Sequence, residues 1–458
     1  MKSVAFRTAT LDDAHRNEHV RDFFHQRGGK MFRRSGMLIG LIAASSFPSA
    51  LASSTSELLE ESWSYTYYYS SSDYWQHQDF SGIADSDGNL YWLVCQSYGT
   101  HSYVRQRDCS LRSTDFDGNL RYEVPVGSGS VPDMTFILHF VAGSVVVAEH
   151  NAFLTGFDAS TGSVRWTHDL QGEFPYYPPR GTWGMAHDGQ GRIVVTANSS
   201  LHALSASTGE TIWRKDLRWE APERQVRLGA VVFDESRNVY FDKGFCSPYP
   251  WTDCDTTIVS LDPDGNPRFE VQVDPHAQPI AVAHGRLLTV AASFAGKGEV
   301  LDADTGARIA RLPEVFDRFG LISQELGFFV QMSSHGEKAL VAFDLASGMI
   351  RWRYPLLWND GADTAAGLLT DAGNILLPSK TSLLEISPHG QLVREIPLRP
   401  PPNVYGGFRG PLLLRGRWFA QIYATVFAYD LPGDPGEGRF GWSSRRGNAQ
   451  GENRPREE

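Results

Sequence analysis

Four cysteines in 458 residues are too few to staple a chain of this length, so its stability must come from an ordinary buried core. Positive charge is also short: 42 Lys and Arg face 53 Asp and Glu, a formal net charge of -11. That balance excludes a surface built to neutralise nucleic-acid phosphates. No segment approaches the 18 continuous apolar residues of a membrane-spanning helix. No Gly-x-Ser-x-Gly elbow, phosphate-binding loop or dinucleotide fingerprint occurs. Histidines beyond residue 52, such as His139, His150, His168, His187 and His202, lack metal-ligand spacing and read as packing or surface residues. What the chain has is 44 Gly and 25 Pro, a mild surplus far below low complexity, so a folded globular protein is expected.

The N-terminal region reads as an address. From Met31 come Arg33 and Arg34, an apolar run starting at Met37, and the small-x-small triplet Ala50-Leu51-Ala52. These are the three parts of a secretory signal peptide. Residues 1–30 lie upstream of where such a signal normally begins, so translation is expected to start at Met31, with a long n-region as the alternative. The paired arginines suit a general secretory signal and match twin-arginine export only loosely. No Cys follows the cleavage site, so no lipid anchor is expected. An exported protein, periplasmic or extracellular, meets an oxidising compartment in which its cysteines can pair.

Length alone suggests about three domains, but an internal period replaces that count. An apolar strand runs into Asp and a Gly-ending turn, and an aromatic follows four residues after the Gly. The unit recurs as 112–122, 156–166, 203–213, 259–269, 300–309, 342–352 and 384–393, with a degenerate copy at 427–434. Its glycines are Gly118, Gly162, Gly209, Gly265, Gly306, Gly348, Gly390 and Gly433, spaced by 44, 47, 56, 41, 42, 42 and 43. A second hairpin signal precedes each copy, for example DSDGNLYWLV (85–94) and GQGRIVVTA (189–197). Four strands per 41–47 residues is the arithmetic of a β-propeller blade. The expected fold is all-β, an eight-bladed β-propeller of four-stranded antiparallel blades, with seven blades as the alternative. Alternating apolar and polar residues predict half-buried strands. Tyr122, Trp166, Trp213, Phe269 and Trp352 share one outer-strand position, where a ring fills the wedge between blades. Ala310 and Arg394 stand there in blades five and seven, whose rims are expected to pack less well.

The turn and strand pattern resembles the repeat of the pyrroloquinoline-quinone (PQQ)-like β-propellers, Ala-x-Asp-x-x-Thr-Gly-x-x-x-Trp. Residues 157–166, 204–213 and 343–352 carry the resemblance most fully, with Ser205 in place of the Asp in the second. The tail GWSSRRGNAQGENRP (441–455) is similar to the Trp-x-x-x-Arg-Gly-Asn tail of secreted members. The family includes quinoprotein dehydrogenases and a propeller lipoprotein of outer-membrane assembly, so the resemblance implies a fold more than an activity. The dehydrogenases resemble one another in a vicinal Cys-Cys disulfide over the quinone, Ca²⁺ ligands, a catalytic Asp and often a Cys-x-x-Cys-His haem domain. This chain has neither adjacent cysteines nor Cys-x-x-Cys-His. No cofactor is therefore expected, with PQQ and calcium entering only under an enzyme reading, and no catalytic or metal residue is assigned.

Four cysteines permit three pairings. Cys95/Cys109 and Cys246/Cys254 fall in the same loop of their units, between the second and third strands of blades one and four. Two local disulfides at the bases of these insertions are expected, against four-Cys metal binding, for which the spacing is wrong. DSDGN (85–89), DFDGN (115–119) and DPDGN (262–266) superficially resemble calcium loops but lack the later acidic ligand, so they read as tight turns. In a propeller all tight turns fall on one face and all long loops on the other. On the long-loop face, Tyr176, Tyr177, Arg180, Trp219, Arg224, Trp251, Trp358 and Tyr405 are the candidate binding residues, being types enriched in hot spots. Packing of the loops is their competing role.

The chain thus divides into an upstream extension (1–30), signal peptide (31–52), N-terminal segment (53–78), propeller (79–445) and tail (446–458). Either 62–75 or 439–444 is expected to supply the outer strand of blade eight. An exported, monomeric, non-enzymatic binding protein for an unknown protein or small-molecule partner is the leading function. The alternatives are a PQQ-dependent oxidoreductase and a scaffold in envelope assembly.

Overall fold

A computed structural model describes residues 61–66, 74–98, 105–131, 136–150, 153–170, 184–197, 199–217, 225–246, 254–291, 297–314, 320–332, 338–356, 367–370, 372–379, 382–398, 409–422 and 425–432. All fall in the compact unit Ser56–Glu458; the other unit, Met1–Thr55, which holds the expected signal peptide, lies outside them, as does the tail 446–458. Thirty-two strands form eight four-stranded antiparallel sheets, and among the described residues there is no helix, hence none able to cross a membrane. Seven blades follow chain order from inner to outer strand: 74–131, 136–169, 184–216, 225–273, 277–314, 320–356 and 368–397. The eighth comprises Arg409–Leu414, Arg417–Ile422 and Thr425–Asp430, completed on its outer side by Glu61–Thr66. Each inner strand contacts the next, including that of blade eight with that of blade one, so the ring is closed.

The closing strand comes from the N-terminal side: Trp63 pairs with Ala428 and Thr66 with Thr425, and the Ser62 hydroxyl donates to Asp430 Oδ2 at 2.6 Å. The tyrosine-rich stretch 62–75 is therefore split, since Tyr74 already begins the inner strand of blade one. Residues 439–444 lie outside the described ones.

Half-burial is fullest in outer strands, such as Ile350–Leu356, whose residues alternate in exposure. Second strands lie between two neighbouring blades and bury both faces. All six residues of Arg192–Ala197 are buried, as are five of six in Val145–His150. That is why these strands read as continuous apolar runs rather than alternating ones.

The turns follow from Asp and Gly chemistry. Asp158 Oδ1 accepts from the N–H groups of Ser160 and Thr161, while Gly162, at φ 74°, donates its N–H to the Asp158 carbonyl at 2.8 Å. In DSDGN, Asp85 Oδ1 accepts from Asp87 and Asn89 N–H, and Oδ2 from the Asn89 amide and the Tyr91 hydroxyl. Asp115 and Asp262 repeat the pattern with Asn119 and Asn266. Each carboxylate is spent on its own turn.

These bonds favour the ionised carboxylate. The Ser347 hydroxyl and the Arg351 guanidinium hold Asp344 at about 2, the Thr305 hydroxyl lowers Asp302, and the Asn266 amide lowers Asp262. Folded-state values below unfolded ones contribute stability that is complete above the ordinary carboxylate range and lost as pH falls through the folded value. The urea midpoint is expected to drop between about pH 4 and pH 2, and Asp344→Asn to make that drop shallower.

The outer-strand aromatics join neighbouring blades. Trp166 lies on Gly156 of its own blade and 2.6 Å from where a Cβ on Gly209 of the next would sit. Its indole N–H donates to the Ala206 carbonyl in that blade's turn at 2.9 Å. Trp213 and Trp352 do the same to Pro263 and Pro388, and the Tyr122 hydroxyl to Ala159. The residue opposite each ring is small: Gly156, Ala203, Ser260, Ala342 or Ser113.

Blade seven departs from the expected weak rim. Arg394 donates to the Pro432 carbonyl, as the indoles do, and pairs with Glu385, the residue opposite it. An ion pair replaces a ring on a small residue. In blade five the register position opposite Ala310 is filled by Val300, and Gly348 comes directly against the backbone of Arg311.

Candidate functional site

Among the described residues, the strand ladders of two blades rise above those of their neighbours on the long-loop face. Counting from the tight turn, the ladder between second and third strands of blade one runs from Leu90 opposite Thr114 to Tyr98 opposite Gln106. That of blade four runs from Val239 opposite Leu261 to Cys246 opposite Cys254. In blade two the same ladder ends at His150 opposite Phe153, and in blade three at Ala197 opposite Ser200. Blades two and three therefore form a lower floor between taller neighbours.

Cys95 and Cys109 are disulfide-bonded, directly opposite each other with Cα atoms 4.1 Å apart. The bridge lies within the ladder, three residue pairs short of its end, rather than at the base of the loop. It is buried in one apolar cluster with Leu138 and Ala148 of blade two, so it also packs the seam. Cys246 and Cys254 face each other as the last pair of their ladder; their side chains lie outside the description.

All eight candidate binding residues lie outside the described residues, but the strands that anchor their loops are defined. The connection 171–183, carrying Tyr176, Tyr177 and Arg180, ends at Gly184. The connection 218–224, carrying Trp219 and Arg224, leads into the strand holding Gly229. A Cβ on Gly184 would collide with the Gly229 carbonyl, so glycine lets the feet of the two connections touch. The Thr196 hydroxyl lies 3.0 Å from the Gly184 carbonyl and 3.1 Å from that of Gly229, locking this contact. Trp251 belongs to the loop 247–253 on blade four, while Trp358 and Tyr405 precede blades seven and eight. Thus the two loops holding five of the eight are brought together at their roots, and the other three stand on separate blades.

Thr196 shares its register with Glu149 in blade two and Asp242 in blade four; all three are buried. Asp242 Oδ1 accepts the Ala230 N–H at 2.7 Å. Burying such groups requires hydrogen bonds, so this polar row fixes the strand ends under the floor. Sequence reading missed it because each residue interrupts an apolar strand singly. Its one usable signal was a polar residue four positions after Val145, Arg192 and Asn238, at or just before the start of the second strand, in three consecutive blades.

Among the described residues, Ser200 and His202 form a contact suggestive of a nucleophile. The Ser200 hydroxyl donates to the Ala197 carbonyl at 2.9 Å, which leaves His202 Nε2, also at 2.9 Å, as its donor. An activated serine needs the reverse proton direction, and both residues are buried. Among the described residues no three His, Cys, Asp or Glu are grouped to hold a metal ion.

Residues 150–352 match the PQQ_2 family model, described as "Outer membrane protein assembly factor BamB". BamB from Moraxella catarrhalis is similar at 16% identity over 79% of this chain and 99% of that one, with a TM-score of 0.46. A europium-containing methanol dehydrogenase is similar at 10% identity over 73% of this chain and 90% of that one, also with a TM-score of 0.46. No curated protein matches in sequence. The repeat matched over residues 150–352 and the ring of eight four-stranded blades give the chain a PQQ-like β-propeller architecture.

Proposed function

We propose that this is an exported binding propeller that recognises a protein partner on its long-loop face and has no catalysis of its own, serving as a scaffold in the cell envelope. The observation that carries the reading is the floor over blades two and three. Two aromatic- and arginine-bearing connections share a root at Gly184 and Gly229, between the taller blades one and four. Loops on a rigid scaffold with Trp, Tyr and Arg suit protein recognition. The family description as an outer-membrane assembly factor supports a protein partner in the envelope.

Photocrosslinkers placed at Tyr177, Trp219 and Trp358 are expected to capture an envelope protein, and those at Ser160, Asp304 and Ser347 on the tight-turn face to capture none. Capture from the tight-turn face alone would refute the assignment of the face. Stoichiometric PQQ uptake with dye reduction by alcohols or sugars would overturn the non-catalytic reading.

Export also makes a second disulfide, Cys246–Cys254, part of the proposal, because the two residues face each other as Cys95 and Cys109 do. Peptide mapping of the exported protein without reduction is expected to recover two linked pairs. Alkylated Cys246 in that map would remove the second bridge.

A further inference from the structure

Around the ring, a side-chain donor from one blade reaches a backbone carbonyl in the turn of the next. Tyr91 and Tyr122 reach Ala159, Trp166 reaches Ala206, and Trp213 and Arg192 reach Pro263. Tyr240 reaches Ala303 at 2.8 Å, Trp352 reaches Pro388 at 2.7 Å, and Arg394 reaches Pro432. Even the seam between blades eight and one is fixed, by Arg417 to Phe116 at 2.8 Å and Arg415 to Ser86 at 3.0 Å. Among the described residues no donor crosses from blade five to blade six. There Ala310 replaces the ring, and the seam is held by an apolar cluster that includes Val300, Leu312, Phe329, Val341 and Phe343.

We propose that the seam between blades five and six is the joint of the ring, a shear plane along which the propeller opens while every blade keeps its ladder. Apolar contact is non-directional and tolerates sliding. A ring seated on a glycine with its N–H on a fixed carbonyl does not. Opening at this seam changes the span of the central channel, whereas the other seven seams hold their angles.

The turn glycines supply matched reporters. Gly162, Gly209, Gly306 and Gly348 each donate their N–H to the carbonyl four residues back, at 2.8, 2.8, 2.9 and 2.7 Å. The first three lie under Tyr122, Trp166 and Phe269, while Gly348 lies against Ala310 and Arg311. In amide-resolved hydrogen exchange of the purified full-length protein, Gly348 is expected to exchange about tenfold faster than the other three, with a rate that rises with urea because opening exposes apolar surface. Grafting the latch of blade two by Ala310→Trp with Val300→Gly is expected to bring Gly348 to the level of Gly209. Equal protection at all four glycines in the unmodified protein, or a Gly348 rate insensitive to urea, overturns the proposal. Neither readout depends on the graft folding.

Discussion

Trp166→Ala is expected to lower stability by about 3–5 kcal/mol, the usual cost of truncating a buried aromatic. The ring is 7% exposed and fills the space between Gly156 and Gly209. Removing it opens a cavity between blades two and three and strips the Ala206 carbonyl of its indole donor. A smaller residue cannot be rescued by collapse, because glycine already stands on both sides. Gly156→Ala attacks the same contact from beneath, since its Cβ would intrude on the indole. Ile212, more than half exposed on the outer strand of blade three, is the control: Ile212→Ala should change stability by no more than about 0.5 kcal/mol. Urea unfolding followed by tryptophan fluorescence and by circular dichroism measures both, and a loss at Trp166 no larger than at Ile212 would refute the latch.

Arg394→Ala is expected to cost about as much, for an electrostatic reason. Glu385 is buried, its Oε1 taking the Asn374 amide at 2.6 Å while Arg394 covers Oε2. Taking away one partner of a buried pair leaves an uncompensated charge, at about 3–5 kcal/mol. The same removal frees the Pro432 carbonyl. The double substitution Arg394→Trp with Glu385→Gly, which copies blade two, is expected to regain most of the loss because it replaces the pair by a ring on glycine. Thermal and urea unfolding of the unmodified protein, Arg394→Trp, Glu385→Gly and the double substitution forms a double-mutant cycle; additive losses would show that the two residues do not act as a unit.

The contrast between these two blades shows what the sequence could and could not convey. Turn glycines and the aromatics four residues beyond them were legible because backbone chirality and a repeated wedge leave few residue types that fit. Arg394 read as a gap because the position was understood as volume. It is also a donor to the next blade, and a guanidinium meets that need once Glu385 stands opposite. Trp63 was missed as a member of the same row, although it faces Ala428 in the register that Trp166 holds with Gly156. No turn glycine precedes it, and its partner strand is more than 350 residues away. At the candidate site, Gly184 and Gly229 carry no local signal, since their roles arise where two inner strands meet across blades, and Thr196, on a second strand, shows only as one of a row of single polar residues. Tyr176, Trp219 and their companions sit in connections that no period constrains.

The strand Glu61–Thr66 gives the molecule an order of events. Its pairing with Thr425–Asp430 joins nearly the first and the last parts of the ring, a contact of extreme sequence separation that costs loop-closure entropy before it returns any stability. A chain emerging N-terminus first must keep these residues unpaired through the synthesis of seven blades, and its circle locks only after residue 430 has arrived. A chain interrupted anywhere before that point has no lock, and its open edge marks it as unfinished.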